Sequence, residues 1–309
     1  MKKVLTILIT LVIMTGVIFG CIYWYKVATS GNSEEQISEN ISSEPLFTLE
    51  NYPKVDASLA IHPLVDSIAS DFLGIEESEL DFNYTTTRTS EVYRNLIDGK
   101  VDVIFAAEIS EEDKQYAKDK GVELEIIPAT SSAFVFIVNT ENPVEELSFE
   151  EIQKIYTGEI TNWKEVGGDD APIIAYQRPT GSGSQTAMLS LVMKDKEIMT
   201  PPTSQIEGEM GSLINAIAEY DNSKDAIGYS YFYYVNTMYK KDTIRMIAVD
   251  GVKPTIETIK NGAYPIYTNG FIVLRKDEKE GSSARRWVEA VLSNRGSNII
   301  ENAGYVPVN

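Results

Sequence analysis

Short apolar strands alternate with amphipathic helices from about Phe47 to the C-terminus, and this alternation limits the fold more than any other feature of the sequence. Leu64, Ile68 and Phe72 recur at helical spacing, whereas residues 101–105 form a continuous apolar run of strand length. Strands that alternate with helices in this way build a sheet covered by helices. We therefore predict an α/β fold that binds its ligand near loop ends and helix N-termini.

Charge and composition exclude several classes of function. The chain has 309 residues, with 27 Lys and Arg against 46 Asp and Glu, and it lacks the basic stripe that nucleic-acid binding needs. Its one cysteine, Cys21, and its one histidine, His62, exclude an intrachain disulfide and a Cys/His metal cluster. A Ser-His-Asp triad would have to use His62, and a surface or packed histidine is the commoner case. We therefore expect neither an enzyme nor a bound cofactor.

The first 26 residues predict a membrane tether. Lys2 and Lys3 precede an uncharged run, residues 4–25, which is long enough as a helix to cross a bilayer. The lysines belong on the cytoplasmic side, so we expect the remainder outside the cell membrane. Two interpretations stay open: an uncleaved anchor, or a lipoprotein signal in which Cys21 is the lipidated residue. Residues 27–46, rich in Ser, Glu and Asn, predict a flexible linker.

The most specific local motif is Q-R-P-T-G-S-G-S-Q-T at residues 177–186, where a strand ends and a helix begins. Glycines such as Gly183 let consecutive backbone N–H groups converge on an anion at the helix start. Ser182 and Ser184 add hydroxyls, and Arg178 adds a planar cation that suits oxyanion oxygens. The alternative is an ordinary Gly/Ser turn whose arginine pairs with a surface acid. The loop is not a Walker motif, because no G-K-[ST] follows.

Three further places carry weaker signals. Residues 85–90 form a hydroxyl-rich run at a predicted helix start, where N-capping by Thr89 or Ser90 is the simpler interpretation. Capping is also the simpler interpretation for Ser58. Glu108 follows a buried strand; it is either a solvated loop acid or an acceptor for the proton that phosphate carries near neutral pH and sulfate lacks.

Several segments occur in an order that resembles one family. They are residues 56–60, 101–105, 134–139 with 142–144, 155–163, 178–184, 226–229 and 304–308. Together they make the chain similar to the periplasmic phosphate-binding proteins of ABC transporters, within the type II substrate-binding superfamily, from about Tyr52 onward. The resemblance implies two α/β lobes with the ligand in the cleft between them. We assign residues 47–138 plus 262–309 to lobe I and residues 139–261 to lobe II.

The resemblance also implies which residues hold phosphate. The predicted ligand-binding residues are Ser58, Thr89, Ser90, Glu108, Arg178, Ser182, Gly183 and Ser184. Glu108 stands nearest the family's proton-accepting aspartate, and the loop around Arg178 matches the family's arginine and Gly-Ser-Gly-Thr loop. Three places depart from the pattern: Leu59 replaces a frequent hydroxyl residue, Thr180 replaces an acid beside Arg178, and residues 108–110 replace a short Asp/Pro-containing stretch.

These observations support one leading hypothesis about function. We expect a monomeric extracytoplasmic protein that captures a tetrahedral oxyanion, phosphate first among them, and delivers it to an ABC transporter permease. The departures at Leu59 and Thr180 motivate an alternative, a sensing or protein-interaction module at the membrane with altered or lost oxyanion binding. A phosphoester hydrolase using Glu108 or His62 is a third hypothesis, which the missing metal-ligand clusters disfavour.

Overall fold

The computed structural model describes residues 44–80, 88–219 and 223–308. The predicted tether with Cys21, the linker up to residue 43, and residues 85–87 of the hydroxyl-rich run lie outside the described residues. Among the helices that are described, none has the length and apolar character needed to cross a membrane.

Strands and helices alternate along the described residues, as the sequence predicts. The strands are β1 (Val55–Ala57), β2 (Val103–Ala106), β3 (Leu124–Asn139), β4 (Glu146–Leu147), β5 (Ile174–Ala175), β6 (Ala226–Tyr231), β7 (Ile244–Met246), β8 (Ala248–Val249), β9 (Tyr267–Arg275) and β10 (Val306–Pro307). The α-helices are α1 (His62–Leu73), α2 (Thr89–Ile97), α3 (Glu111–Asp119), α4 (Phe149–Thr157), α5 (Gly183–Ala187), α6 (Met210–Glu219), α7 (Ile256–Lys260), α8 (Ser283–Val291) and α9 (Asn294–Asn302).

The main sheet has the order β1-β2-β9-β3-β6-β5, with β7 and β10 also paired to β3. Two pairs in it are parallel, β1 with β2 and β5 with β6, whereas β9 and β3 run antiparallel to their neighbours. The carboxyl ends of parallel strands meet at one edge, which is where ligands bind in α/β sheets. The mixed sheet with its covering helices confirms the predicted α/β fold.

One strand departs from the sequence-based prediction. The apolar runs at residues 124–128 and 134–138 predict two separate strands, but β3 runs unbroken from Leu124 to Asn139. Its first part pairs with β9 as far as Ala133, and its second part pairs with β6 from Phe134 onward. The intervening A-T-S-S-A segment contains neither Gly nor Pro; from Thr130 onward it pairs with β9, and β10 pairs with it at Thr130 and Ser131. The strand therefore changes partner without a turn.

Apolar residues pack into separate cores on the two parts of this sheet. One core joins β1, β2 and β9 to α1, α8 and α9 around the buried Trp287. The other joins the end of β3 and β6 to α4 and α6 around the buried Trp163. Each indole N–H has a partner, Tyr52 Oη for Trp287 and the Asp225 carbonyl for Trp163. Burial of such large side chains packs the helices of each core against the sheet.

Helix starts follow local sequence rules. The S-F-E-E sequence at residues 148–151 predicts a capping box, and the structure confirms it: Ser148 and Glu151 satisfy each other's backbone N–H groups. Pro63 stands in the first turn of α1, where its missing N–H costs nothing. The pattern of residues 187–193 predicts a regular helix, but beyond α5 residues Met188–Met193 form a π-helical turn instead.

Candidate functional site

A pocket with a volume of about 50 Å³ lies at the carboxyl ends of β1, β5 and β6. It is lined by Ser58, Leu59, Ala60, Arg88, Thr89, Arg178, Ser182, Gly183, Ser184, Glu209, Met210, Tyr231 and Tyr234. One buried water needs about 10–15 Å³ on the same scale, so the pocket holds a small polyatomic ligand. Six of the eight predicted ligand-binding residues are therefore brought together here, and Ser90 and Glu108 are not among the lining residues.

The loop after β1 supplies Ser58. Its backbone N–H donates to the Phe105 carbonyl at 3.1 Å, which holds this loop against the end of β2. Ser58 occupies the N-cap position of a 3-10 turn at Leu59–Ile61, but its hydroxyl makes no capping bond. Capping, the simpler interpretation of this serine, is therefore not what its side chain does.

The start of α2 supplies Thr89. The N-cap residue is Arg88, so Thr89 is the first helical residue and its buried side chain faces the pocket. Ser90 is committed elsewhere: its hydroxyl donates to Asp113 Oδ1 at 2.7 Å, and its N–H donates to the Gly181 carbonyl at 3.3 Å. A direct role of Ser90 on a ligand stays a prediction, and its observed bonds tie α2 to α3 and to the glycine loop.

The glycine loop supplies three adjacent groups at the start of α5. Ser182 caps the helix by accepting the Gln185 N–H, which leaves its own hydroxyl proton free to donate. Ser184 is 2% exposed, and its Oγ has no hydrogen-bond partner among the described residues. Gly183 is required by close approach, because a Cβ there would lie 2.6 Å from Thr89 Oγ1.

Arg178 places a buried positive charge in the pocket wall. The residue is only 7% exposed, and no carboxylate of the described residues lies within 4.0 Å of its guanidinium. One Nη donates to the Gly208 carbonyl at 3.1 Å, and Nε has no partner within the described part of the chain. Burial lowers the pKa of Arg178, yet an arginine remains a cation near neutral pH. An unpaired buried cation is costly, so this one suits an anionic ligand.

Four polar lining residues were missed by the sequence analysis: Arg88, Glu209, Tyr231 and Tyr234. Tyr231 Oη has no hydrogen-bond partner among the described residues, and burial raises the pKa of Tyr231, which keeps the phenol a proton donor. The sequence carries no local signal for the tyrosines: Tyr231 ends β6 and Tyr234 follows it, and they reach the pocket because β6 pairs with β5, the strand before Arg178. Arg88 lies within the hydroxyl-rich run at residues 85–90 and could have been found there.

Glu108 lies outside this pocket. Its Oε2 accepts the Ser190 hydroxyl at 2.7 Å, and its side chain lines a separate hollow of about 360 Å³ together with Thr180 and Gly181. Its proposed contact with the ligand's proton therefore stays a prediction that this arrangement does not support.

The chemistry available in the pocket is that of binding an oxyanion. Hydroxyls, a phenol and a guanidinium converge, all of which donate hydrogen bonds. His62 is not a lining residue; its Nε2 lies 2.6 Å from the Ala57 carbonyl, and burial lowers the pKa of its imidazole. Across the described ranges, no group of three or more His, Cys, Asp or Glu side chains is placed to hold a metal ion.

Comparisons with known proteins agree with this chemistry. The model of the PBP superfamily domain matches residues 54–295. The phosphate-binding protein PstS of Bacillus subtilis is 27% identical over 82% of this chain and 80% of its own length, and that of Borreliella burgdorferi is 25% identical over 84% and 91%. A crystal structure from Clostridium perfringens, assigned as a phosphate ABC transporter substrate-binding protein and containing bound phosphate, has a TM-score of 0.66 and 27% identity over 82% of this chain and 98% of its own.

Proposed function

The chain belongs to the PBP superfamily, and from that premise we propose that it captures phosphate outside the cell membrane for an ABC importer. Relatives named as phosphate-binding proteins align with more than four-fifths of the chain, which supports this function over catalysis. The role is that of a binding protein, and no residue is assigned to a chemical step.

The observation that carries the proposal is the unpaired guanidinium of Arg178 beside the hydroxyls of the glycine loop. Arg178 Nε and Ser184 Oγ are buried polar atoms that lack hydrogen-bond partners among the described residues. Buried polar atoms in native proteins are nearly always satisfied, so unpaired donors that line one pocket support the binding of a ligand with acceptor oxygens. A tetrahedral oxyanion presents acceptor oxygens in several directions and satisfies such donors together.

We assign the ligand contacts to Ser58, Thr89, Arg178, Ser182, Gly183 and Ser184. The alternative function, a sensing module that has lost oxyanion binding, is less well supported because these donors still converge on one pocket. Leu59 lines the pocket and contributes no hydroxyl, so one donor seen in the family's pattern is missing without loss of the site.

The two-lobed fold implies closure on the ligand. Residues before β3 supply Ser58 and Thr89, and residues after it supply Arg178 and the glycine loop. A ligand that contacts both sets binds the closed form more tightly and shifts the population toward it. The assignment of residues 47–138 plus 262–309 and 139–261 to the lobes stays a proposal; the partner change in β3 favours a first crossing at residues 133–134.

We further propose that the N-terminal segment holds the protein at the outer face of the cell membrane, through an uncleaved helix or through a lipid on Cys21. The charge pattern of residues 1–26 supports this location, and mass spectrometry of the mature N-terminus decides between the two forms. The permease is the expected partner of the closed, loaded form.

Calorimetry tests the function. Purified full-length protein titrated with phosphate should give saturable heat at one site per chain. Absence of heat with phosphate, together with no thermal stabilisation at high phosphate concentration, would refute phosphate capture. If sulfate or molybdate gives heat and phosphate gives none, the protein still binds an oxyanion, but its ligand is not phosphate.

A further inference from the structure

Glu209 contributes the pocket's carboxylate. Among the described lining residues the other charged side chains are Arg88 and Arg178, both cations, so Glu209 alone brings negative charge. The residue directly before it, Gly208, accepts the hydrogen bond from Arg178 Nη2 at 3.1 Å. The guanidinium thus touches the segment that carries Glu209, and this carboxylate raises the pKa of Arg178 against the larger effect of burial.

A carboxylate at this place supplies the hydrogen-bond acceptor that the site needs for protonated phosphate. The remaining polar lining groups are strong donors, and a fully ionised oxyanion satisfies them as well as phosphate does. Phosphate near neutral pH carries a proton, which needs an acceptor. Sulfate carries none and is repelled by an acceptor that is negatively charged. Discrimination therefore depends on which carboxylate faces the ligand.

The other acids near the pocket are committed to protein partners. Glu108 accepts the Ser190 hydroxyl and lines the separate hollow. Asp113 accepts bonds from Ser90, Ser110 and Arg94. Asp56 accepts bonds from the Ala57 N–H and from Asn95.

By contrast, Glu209 is exposed and its carboxylate takes no hydrogen bond or ion pair from the described residues. Its backbone is fixed, because its carbonyl accepts the Leu213 N–H in the first turn of α6. The buried neighbour Met210 holds this turn in the pocket wall.

We propose that Glu209 is the residue that selects protonated phosphate over sulfate, by accepting a hydrogen bond from the ligand's P–OH group. The inference rests on the proposed function. It assigns the acceptor role, which the sequence pattern gives to Glu108, to a residue on a different segment. It also identifies a negative charge that partly replaces the acid lost beside Arg178 at Thr180.

Calorimetry of the full-length protein with phosphate and with sulfate, at one pH near neutrality, tests the assignment. Glu209→Gln should weaken phosphate binding about tenfold or more, since a hydrogen bond to a charged group is replaced by a neutral one. Sulfate binding should stay unchanged or tighten, so the phosphate-to-sulfate affinity ratio falls. Glu207→Gln makes the same change of charge two residues earlier, outside the lining, and should leave the ratio as in the wild type.

The outcomes separate this inference from the proposed function. If the wild type binds phosphate and Glu209→Gln keeps the wild-type ratio, Glu209 is not the selecting residue and phosphate capture still stands. If Glu108→Gln collapses the ratio instead, the role belongs to Glu108. If the wild type does not bind phosphate, the proposed function itself fails. Glu209→Asp keeps the charge on a shorter side chain and should retain part of the phosphate-to-sulfate affinity ratio. If this variant loses all selectivity but keeps the wild-type melting temperature, the loss is local to the pocket and still identifies Glu209 as the selecting residue.

Discussion

Replacement of Arg178 by methionine is the most informative perturbation of the pocket. Methionine fills similar space and removes the charge, so the change separates ligand binding from folding. In the wild type the guanidinium is 7% exposed, donates to the Gly208 carbonyl, and keeps Nε free for a ligand. Each hydrogen bond to a charged group contributes about 1.5–3 kcal/mol. Loss of two such bonds to phosphate therefore costs about 3–6 kcal/mol, or roughly two to four powers of ten in Kd.

The same change should leave the unliganded protein folded. The lost bond from the guanidinium to the Gly208 carbonyl costs about 1.5–3 kcal/mol, and removal of an unpaired buried charge offsets most of that cost. We therefore expect the free energy of unfolding without phosphate to fall by at most about 1 kcal/mol or to rise.

Thermal unfolding with and without phosphate provides the readout. At a phosphate concentration of about 100 times the wild-type Kd, binding stabilises the wild type by about 2.7 kcal/mol. For a chain of this size that corresponds to a shift of roughly 5–10 °C in Tm. Arg178→Met should show no such shift at the same concentration. Arg286→Met, which removes one positive charge stacked on Phe47, is the matched control and should shift like the wild type. An Arg178→Met protein that keeps its Kd within about tenfold would refute the reasoning.

Three further substitutions test the surroundings of the pocket. Gly183→Ala sets a Cβ 2.6 Å from Thr89 Oγ1, so phosphate affinity measured by calorimetry should drop roughly tenfold; unchanged affinity would show that Thr89 can move aside. Burial lowers the pKa of His62, so the folded state resists protonation of this side chain. In urea unfolding the wild type should therefore lose stability relative to His62→Gln as the pH falls below 6.5, and parallel stability profiles of the two proteins would contradict this. Asp113→Asn weakens the hydrogen bonds that the buried carboxylate accepts from Ser90 and its neighbours, so the free energy of unfolding should fall by about 2–4 kcal/mol. A decrease well under about 1 kcal/mol would contradict this expectation.

Features that depend on neighbouring residues could be predicted from the sequence. The glycine loop is local, because a strand end, two glycines and a helix start follow one another within ten residues. The helix starts at Pro63 and Ser148 are local for the same reason. Arg178, Ser182, Gly183 and Ser184 were therefore found together, as residues of one continuous segment.

Features that depend on which segments meet could not be predicted in this way. Tyr231 lines the pocket only because β6 lies beside β5, and strand order is a long-range property that periodicity does not contain. The unbroken course of β3 is similar: an A-T-S-S-A segment has the composition of a loop, and pairing with β9 and β10 makes it a strand.

The choice of carboxylate shows what this limit means for function. From the sequence, Glu108 is the natural acceptor because it follows a strand near the first helix starts, and a single chain gives no reason to look a hundred residues further along. The structure turns its carboxylate toward Ser190 and into another hollow, while the segment at Gly208–Glu209 reaches the pocket through its contact with Arg178. Glu209, on another loop, thus supplies a negative charge in place of the acid that Thr180 replaces. In this pocket the donors lie mostly on one continuous segment, whereas the carboxylate that we propose for selectivity lies on another, so the sequence motif identifies the donors and not the acid.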